Sequence, residues 1–400
     1  MSEIVESVRK SLKKFLTIEN DTQLPGPEQN NQASKENKIT SLMKELEFDQ
    51  VYILSVSGIQ SEPEFKIGVA LSDYSCVIYS VGQFLSRTIT LSHNRAPIVG
   101  IKFSPTSRDI LYIANAAGLV TACDLRADGK VVAEFKDDSD DGEMKPLASF
   151  DVSCNERLIA GGTENTEGDA FILFWDIRKS NSKNGESLLG GYWDSHQDDI
   201  TSLTFHPAKQ TVLASGSTDG LINVFDLTQP SEDVALTHSL NTESSVDRLG
   251  WLTDDSLWCT THTHALQLWN CEDASAYATF TRNQFAESQN NEPDDCYVVR
   301  FHPTKTFEQP FVLAGCSAAK GESLRCLNVA NDRLETLYEL DNNKQVVRDS
   351  WIHEKSGSLV TVGESGIIDV WRQAESTEQD TSCELVDKVD VVESHRTKPY

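Results

Sequence analysis

His196-Gln-Asp-Asp-Ile200-Thr-Ser-Leu-Thr-Phe205-His206-Pro207, followed by Leu213-Ala-Ser215-Gly216-Ser217-Thr-Asp219-Gly220 and Ile222-Asn-Val-Phe225-Asp226-Leu227, decides the architecture of this chain. Apolar and polar residues alternate through three short stretches, the period of a half-buried strand. Asp219-Gly220 between the second and third stretches is a strong hairpin-turn signal. One phrase therefore reads as three consecutive antiparallel strands.

The phrase recurs on either side. Its closing position is occupied by Tyr79, Cys123, Trp175, Phe225, Trp269, Leu327 and Trp371, at intervals of 44, 52, 50, 44, 58 and 44 residues. A first-strand signature, Phe-Ser/His-Pro, appears at Phe103-Ser-Pro105, Phe205-His-Pro207 and Phe301-His-Pro303; Leu249-Gly-Trp251 and Asp349-Ser-Trp351 hold the same place in two other units. Self-similarity at this period signals stacked repeats. Seven units of about 50 residues fill the chain from residue 50 to 400.

Composition narrows the function. The chain has 62 acidic against 35 basic residues, a net charge of −27, which disfavours a sequence-independent grip on nucleic acid. Hydrophobic residues at 38% are enough to bury a core. No run of eighteen apolar residues is present, so no membrane span is expected. The charged N-terminus, Met1 to Phe15, lacks the apolar core of a secretory signal. Nine cysteines without a C-x-x-C pair read as reduced residues of an intracellular protein, cytoplasmic or nuclear.

With the repeat in view, the chain resembles the WD-repeat β-propellers, whose four-stranded blades close on a Trp-Asp pair such as Trp175-Asp176. Kelch repeats have a similar period, but their paired glycines occur in only two places here, Gly161-Gly162 and Gly190-Gly191, rather than in every unit. The resemblance implies an all-β, seven-bladed propeller over 38–393, with blades at about 50–92, 93–143, 144–194, 195–240, 241–283, 284–340 and 341–393. Ahead of it, residues 1–19 read as an amphipathic helix, either folded onto the propeller's side or serving as a docking element, and 20–37 as a flexible linker; 394–400 reads as a disordered tail. Two segments compete to complete the last blade: Ile39 to Phe48 and Leu385 to Val392.

Chemistry is sparse. Asp137-Asp-Ser-Asp-Asp141-Gly142-Glu143 begins like a calcium loop, but position 12 is Ala148, and the run reads as a solvated acidic loop. Cys259, His262 and His264 fall on opposite faces of a strand and its turn, so no metal site is expected. Gly216-Ser-Thr-Asp-Gly220 lacks the G-x-S-x-G elbow, and no phosphate-binding or zinc-protease motif occurs. The expectation is a non-enzymatic protein without a cofactor. By the family resemblance, His196, Ser215 and Asp219 form a buried hydrogen-bonded chain within their blade, with Phe225 in place of the terminal Trp.

The expected function is a protein-interaction scaffold, a monomeric propeller working within complexes and binding basic segments of other proteins. Its partner-binding face would comprise Arg95, Asp199, Ser245, Asp295 and Gln345, just ahead of the first strands, with Trp193 near this rim either as an exposed anchor or packed under its loop. The alternative comes from Cys123-Asp124-Leu-Arg126 and Trp175-Asp176-Ile-Arg178. These are similar to the W-D-x-R signature of substrate receptors that dock the adaptor of cullin–RING ubiquitin ligases, so Asp124, Arg126, Asp176 and Arg178 would bind that adaptor.

Overall fold

The computed structural model describes residues 38–45, 51–137, 144–180, 187–304, 309–318, 323–330 and 333–373. The helix and linker expected over 1–37, most of the acidic run after Asp137, the segment 385–392 and the tail lie outside these residues.

Each repeat folds as an antiparallel sheet, and the sheets form a ring of seven blades. The innermost strands are Ile53–Gly58, Ile98–Phe103, Leu147–Val152, Ser202–Phe205, Val246–Thr253, Cys296–His302 and Val347–His353. The seven closing residues read from the sequence all lie on third strands, and none is more than 2% exposed. Each faces an apolar residue of the second strand in the same register: Tyr79 opposite Ile67, Cys123 opposite Leu111, Trp175 opposite Ile159, Phe225 opposite Leu213, Trp269 opposite Leu257, Leu327 opposite Val312, and Trp371 opposite Leu359. In five blades the third strand's register with the outer strand shifts just before this residue. Such a bulge raises local twist.

Because a blade is apolar on both faces, its core lies between blades. Seven hydrophobic clusters each join two neighbours. The cluster that closes the ring packs Phe65, Val69 and Tyr79 of blade one against Val360, Val362 and Val370 of blade seven. Contact there is close enough that a Cβ on Gly58 would come within 2.6 Å of the Trp351 ring. Gly220 has φ +85, as the Asp219-Gly220 turn requires.

Of the two candidate closing segments, the N-terminal one pairs: Lys38–Glu45 runs antiparallel to Ile368–Gln373, with Ile39 opposite Gln373 and Glu45 opposite Ile368. It also meets the outer strand of blade six at Lys38 and Ile39, which merges blades six and seven into one eight-stranded sheet. The 58-residue interval contains an element not read from the sequence, the helix Arg282–Gln289, capped by Thr281 and Gln284. Phe285 of that helix is fully buried in the cluster between blades five and six.

Candidate functional site

The region around blade four shows how buried polar groups are paired. His196 Nδ1 lies 3.0 Å from the Asp219 carboxylate, and Nε2 lies 2.7 Å from Ser215 Oγ. The carboxylate can only accept, so Nδ1–H donates to it and Nε2 accepts from the serine. Asp219 also accepts from the amides of Gln197 and Leu221. Burial opposes its ionisation, but the hydrogen bond from His196 and these amides outweigh that and hold its pKa below the usual carboxylate value. Phe225 contributes no hydrogen bond to the chain. Asn223 stands in beside it, donating to the Ser195 carbonyl at 2.7 Å and approaching His196 Nε2 at 3.5 Å.

Other blades satisfy their third-strand donors differently. Trp371 Nε1 donates to Thr361, Trp269 Nε1 to Gln267, and Trp175 Nε1 to the Lys136 carbonyl. In blade two, Cys123 Sγ sits 3.7 Å from His93 Nε2, and burial pushes the thiol up to about 11, so it is held protonated.

The residues expected to form a partner-binding rim have unequal accessibility. Arg95 is exposed. Asp199, Ser245 and Asp295 are half-buried and tied into loops: Asp199 accepts from the Asn165 amide, Ser245 donates to the Thr218 carbonyl, and the Asp295 carbonyl accepts from Ser317. Gln345 corrects the sequence reading. It is 1% exposed and donates to the Ile367 carbonyl, so it braces the last blade and cannot meet a partner.

Trp193 is also displaced from its expected place near the channel rim. It lies on the outer strand of blade three, Leu188–His196, and is 45% exposed. Its indole packs edge-on against Phe171 at 4.8 Å, and the Lys145 ammonium lies 5.8 Å from it and 5.5 Å from the Phe171 ring. Glu232 from the neighbouring blade accepts from the Trp193 and Asp194 amides and from Ser195 Oγ, covering this edge of the sheet. The adjoining segments 164–169 and 193–199 contain Glu164, Glu167, Asp169, Asp194, Asp198 and Asp199 and no Lys or Arg.

The two D-x-R motifs have the same geometry on adjacent blades. Arg126 donates from Nε and an Nη to the two oxygens of Asp124, at 3.1 and 2.8 Å, and its backbone amide caps the same carboxylate. Arg178 does likewise to Asp176, at 2.9 and 2.8 Å. These hydrogen bonds hold both carboxyls below their usual pKa range. The guanidinium side chains remain 69% and 65% exposed.

A charged lining along the channel was missed by the sequence reading. Asp349 of blade seven receives Arg248 of blade five at 2.8 Å and Arg300 of blade six at 3.1 Å, and its second oxygen accepts from the Val56 amide of blade one at 3.0 Å. Across the ring, Lys102 pairs with Asp151, which accepts from the Phe205 amide. The sequence signal was charge placed within inner strands, as at Lys102, Asp151, Arg248, Arg300 and Asp349. Cys259, His262 and His264 do not converge: Cys259 is buried against Gln267, while His262 lies in the turn near Asp247. Among the described residues, no group of three or more His, Cys, Asp or Glu is placed to hold a metal ion.

A family model described as WD domain, G-beta repeat matches residues 187–226, the outer strand of blade three and the first three strands of blade four. The chain is 26% identical over 292 residues to an uncharacterized WD repeat-containing protein of Saccharomyces cerevisiae, covering 70% of this chain and 67% of that protein. It is 31% identical over 215 residues to WD repeat-containing protein GTS1 of Arabidopsis thaliana, covering 52% and 51%. With the WD repeat-containing protein 89 homolog of Dictyostelium discoideum it shares 26% identity over 263 residues, covering 63% and 68%. The matches thus span from about half to two thirds of these relatives' lengths. Repeat phrase, seven-bladed ring, the matched WD repeat and the WD-repeat relatives agree on one architecture, a seven-bladed propeller similar to the WD-repeat proteins.

Proposed function

We propose that this propeller is a protein-interaction scaffold that captures basic segments of partner proteins at the acidic, aromatic corner of blade three. Propellers of this family are generally non-enzymatic and bind other proteins. The observation that carries the finer reading is Trp193, half exposed on a rigid strand next to Asp194, with the Lys145 ammonium over its ring and that of Phe171, on a blade whose segments 164–169 and 193–199 carry six carboxylates. Aromatic faces attract cations, and carboxylates steer them in and pair with them. An arginine or lysine side chain of a partner would lie against the exposed indole, its charge met by Asp194 and the Glu164–Asp169 segment.

The test is titration of Lys/Arg-rich peptides against the full chain, read by Trp193 fluorescence and calorimetry. Binding should weaken at least tenfold in Trp193→Ala and in the double variant Glu167→Gln/Asp194→Asn, and should fall as salt rises from about 0.05 to 0.5 M. Affinity that ignores both salt and Trp193 would refute the site.

A second reading rests on the matched Asp124–Arg126 and Asp176–Arg178 pairs, whose guanidiniums face solvent from neighbouring blades and suit a planar contact with a ligase adaptor. Co-purification of the adaptor with the wild-type chain and its loss from Arg126→Ala/Arg178→Ala would support that reading. Equal recovery with both would leave the arginines as clasps of their own carboxylates.

A further inference from the structure

Cys296 and Cys316 face each other as partners on the first and second strands of blade six. The Ser317 amide donates to the Asp295 carbonyl at 2.8 Å, which makes 295 and 317 a hydrogen-bonded pair. In an antiparallel ladder the next pair along, 296 and 316, is then non-hydrogen-bonded, with Cα atoms about 4.5 Å apart and side chains on the same face. That spacing lies within the range of about 4.4–6.8 Å in which a disulfide closes without moving the backbone. Among the described residues, no other two cysteines are cross-strand partners, and both of these are free thiols.

Both are buried, Cys296 fully and Cys316 to 2% exposure, but their surroundings differ. Cys296 is fully buried beneath the Arg282–Gln289 helix, whose Arg282 donates to the Cys296 carbonyl at 2.8 Å. Cys316 lines a groove of about 630 Å³ shared with Asn291, Leu324 and Leu340. A small oxidant entering this groove meets Cys316 first.

We propose that Cys296 and Cys316 form a modification site, at which hydrogen peroxide joins the two thiols in a cross-strand disulfide at the rim of blade six. In the first step Cys316 Sγ loses its proton to water and attacks a peroxide oxygen. The O–O bond breaks and hydroxide leaves as water, giving a sulfenic acid. In the second step Cys296 Sγ attacks that sulfur, the S–O bond breaks, and the departing hydroxide takes the Cys296 proton. Overall, two thiols lose two electrons, and one peroxide becomes two waters. Burial pushes Cys296 up to about 11, so little of it is thiolate at neutral pH and the closing step is slow.

The reduced full-length chain should be treated with dilute hydrogen peroxide, alkylated with N-ethylmaleimide in denaturant, and digested with trypsin without reduction. Cys296 falls in peptide 283–300 and Cys316 in peptide 306–320, and each peptide has a single cysteine. The expected product is these two peptides linked, lighter by two hydrogens than their sum, released by dithiothreitol, and about tenfold more abundant than any other cysteine pair. Cys296→Ser should abolish the link and carry Cys316 on to sulfinic acid. Wild-type chain in which both cysteines stay fully alkylatable would overturn the proposal, as would Cys316 over-oxidised without a link or paired elsewhere. The wild-type readout stands whether or not the variant folds.

Discussion

Asp349→Ala removes the carboxylate on which four blades converge. Asp349 is 2% exposed at its side chain, whereas Arg248 and Arg300 are 26% and 30% exposed. Its loss leaves two guanidiniums side by side without their shared counter-charge and strands the Val56 amide. Burial, more than Asp349 and Asp247 offset, already draws Arg300 below its ordinary pKa, so that guanidinium tolerates the loss poorly. Breaking a buried ion pair costs about 3–5 kcal/mol, of which an unsatisfied amide alone accounts for about 1–3. Water reaching the half-exposed arginines places the expected cost near the lower end, about 3–4 kcal/mol. For a folded ring of roughly 350 residues, 1 kcal/mol corresponds to about 1.4 °C, so Tm should fall by roughly 4–5 °C. Asp349→Asn retains an acceptor for Val56 and should lose less. Chemical and thermal unfolding of both variants, with Arg300→Met in a double-mutant cycle, measures the coupling. A cost below about 1 kcal/mol for Asp349→Ala, or additive effects with Arg300→Met, would refute the view that this carboxylate ties blades five and six to the closure between seven and one.

Two other outcomes follow from the buried histidines. Asp219→Ala should cost about 1–3 kcal/mol by leaving His196 Nδ1–H without an acceptor, visible as a lower urea midpoint with an unchanged slope; wild-type stability would show that His196 finds another partner. His302 is buried against Ser350, and burial lowers its pKa to about 3. Above about pH 6.5 neither state binds its proton; below that the unfolded chain does and the native chain does not. Stability should therefore fall by about 1.4 kcal/mol per pH unit from about pH 6.5 toward 3 on account of this group. His302→Gln should flatten the measured slope by about one proton, and an unchanged slope would exclude His302 as its source.

The repeat phrase was legible because strand alternation and hairpin turns are local. Asp219-Gly220 forms its turn through residues that are neighbours in the chain, and the closing side chains reach the core because every blade repeats the same register. The D-x-R motifs were visible as short local motifs, but the sequence reading assigned their residues to an adaptor, and the clasp of each arginine on its own aspartate came from the structure. Trp193 was not legible: its exposure depends on Phe171, Lys145 and Glu232, which come from other strands and from the next blade. Gln345 looked like a loop residue, yet the fold places its amide against Ile367.

Sequence alone, then, determined the units, their number and the residues that close each one, since these follow from a period of two and a repeat near fifty. Only the tertiary structure decided which end of the chain completes blade seven, which polar residues face the channel, and which two cysteines face each other. Lys38–Glu45 and Ile368–Gln373 are more than 320 residues apart in sequence, and Val56 and its partner Asp349 on the innermost strand of blade seven are 293 apart. Pairing at that distance is set by ring closure, because an open ring would leave apolar blade faces and a strand edge in water, and no local pattern records which segment meets them.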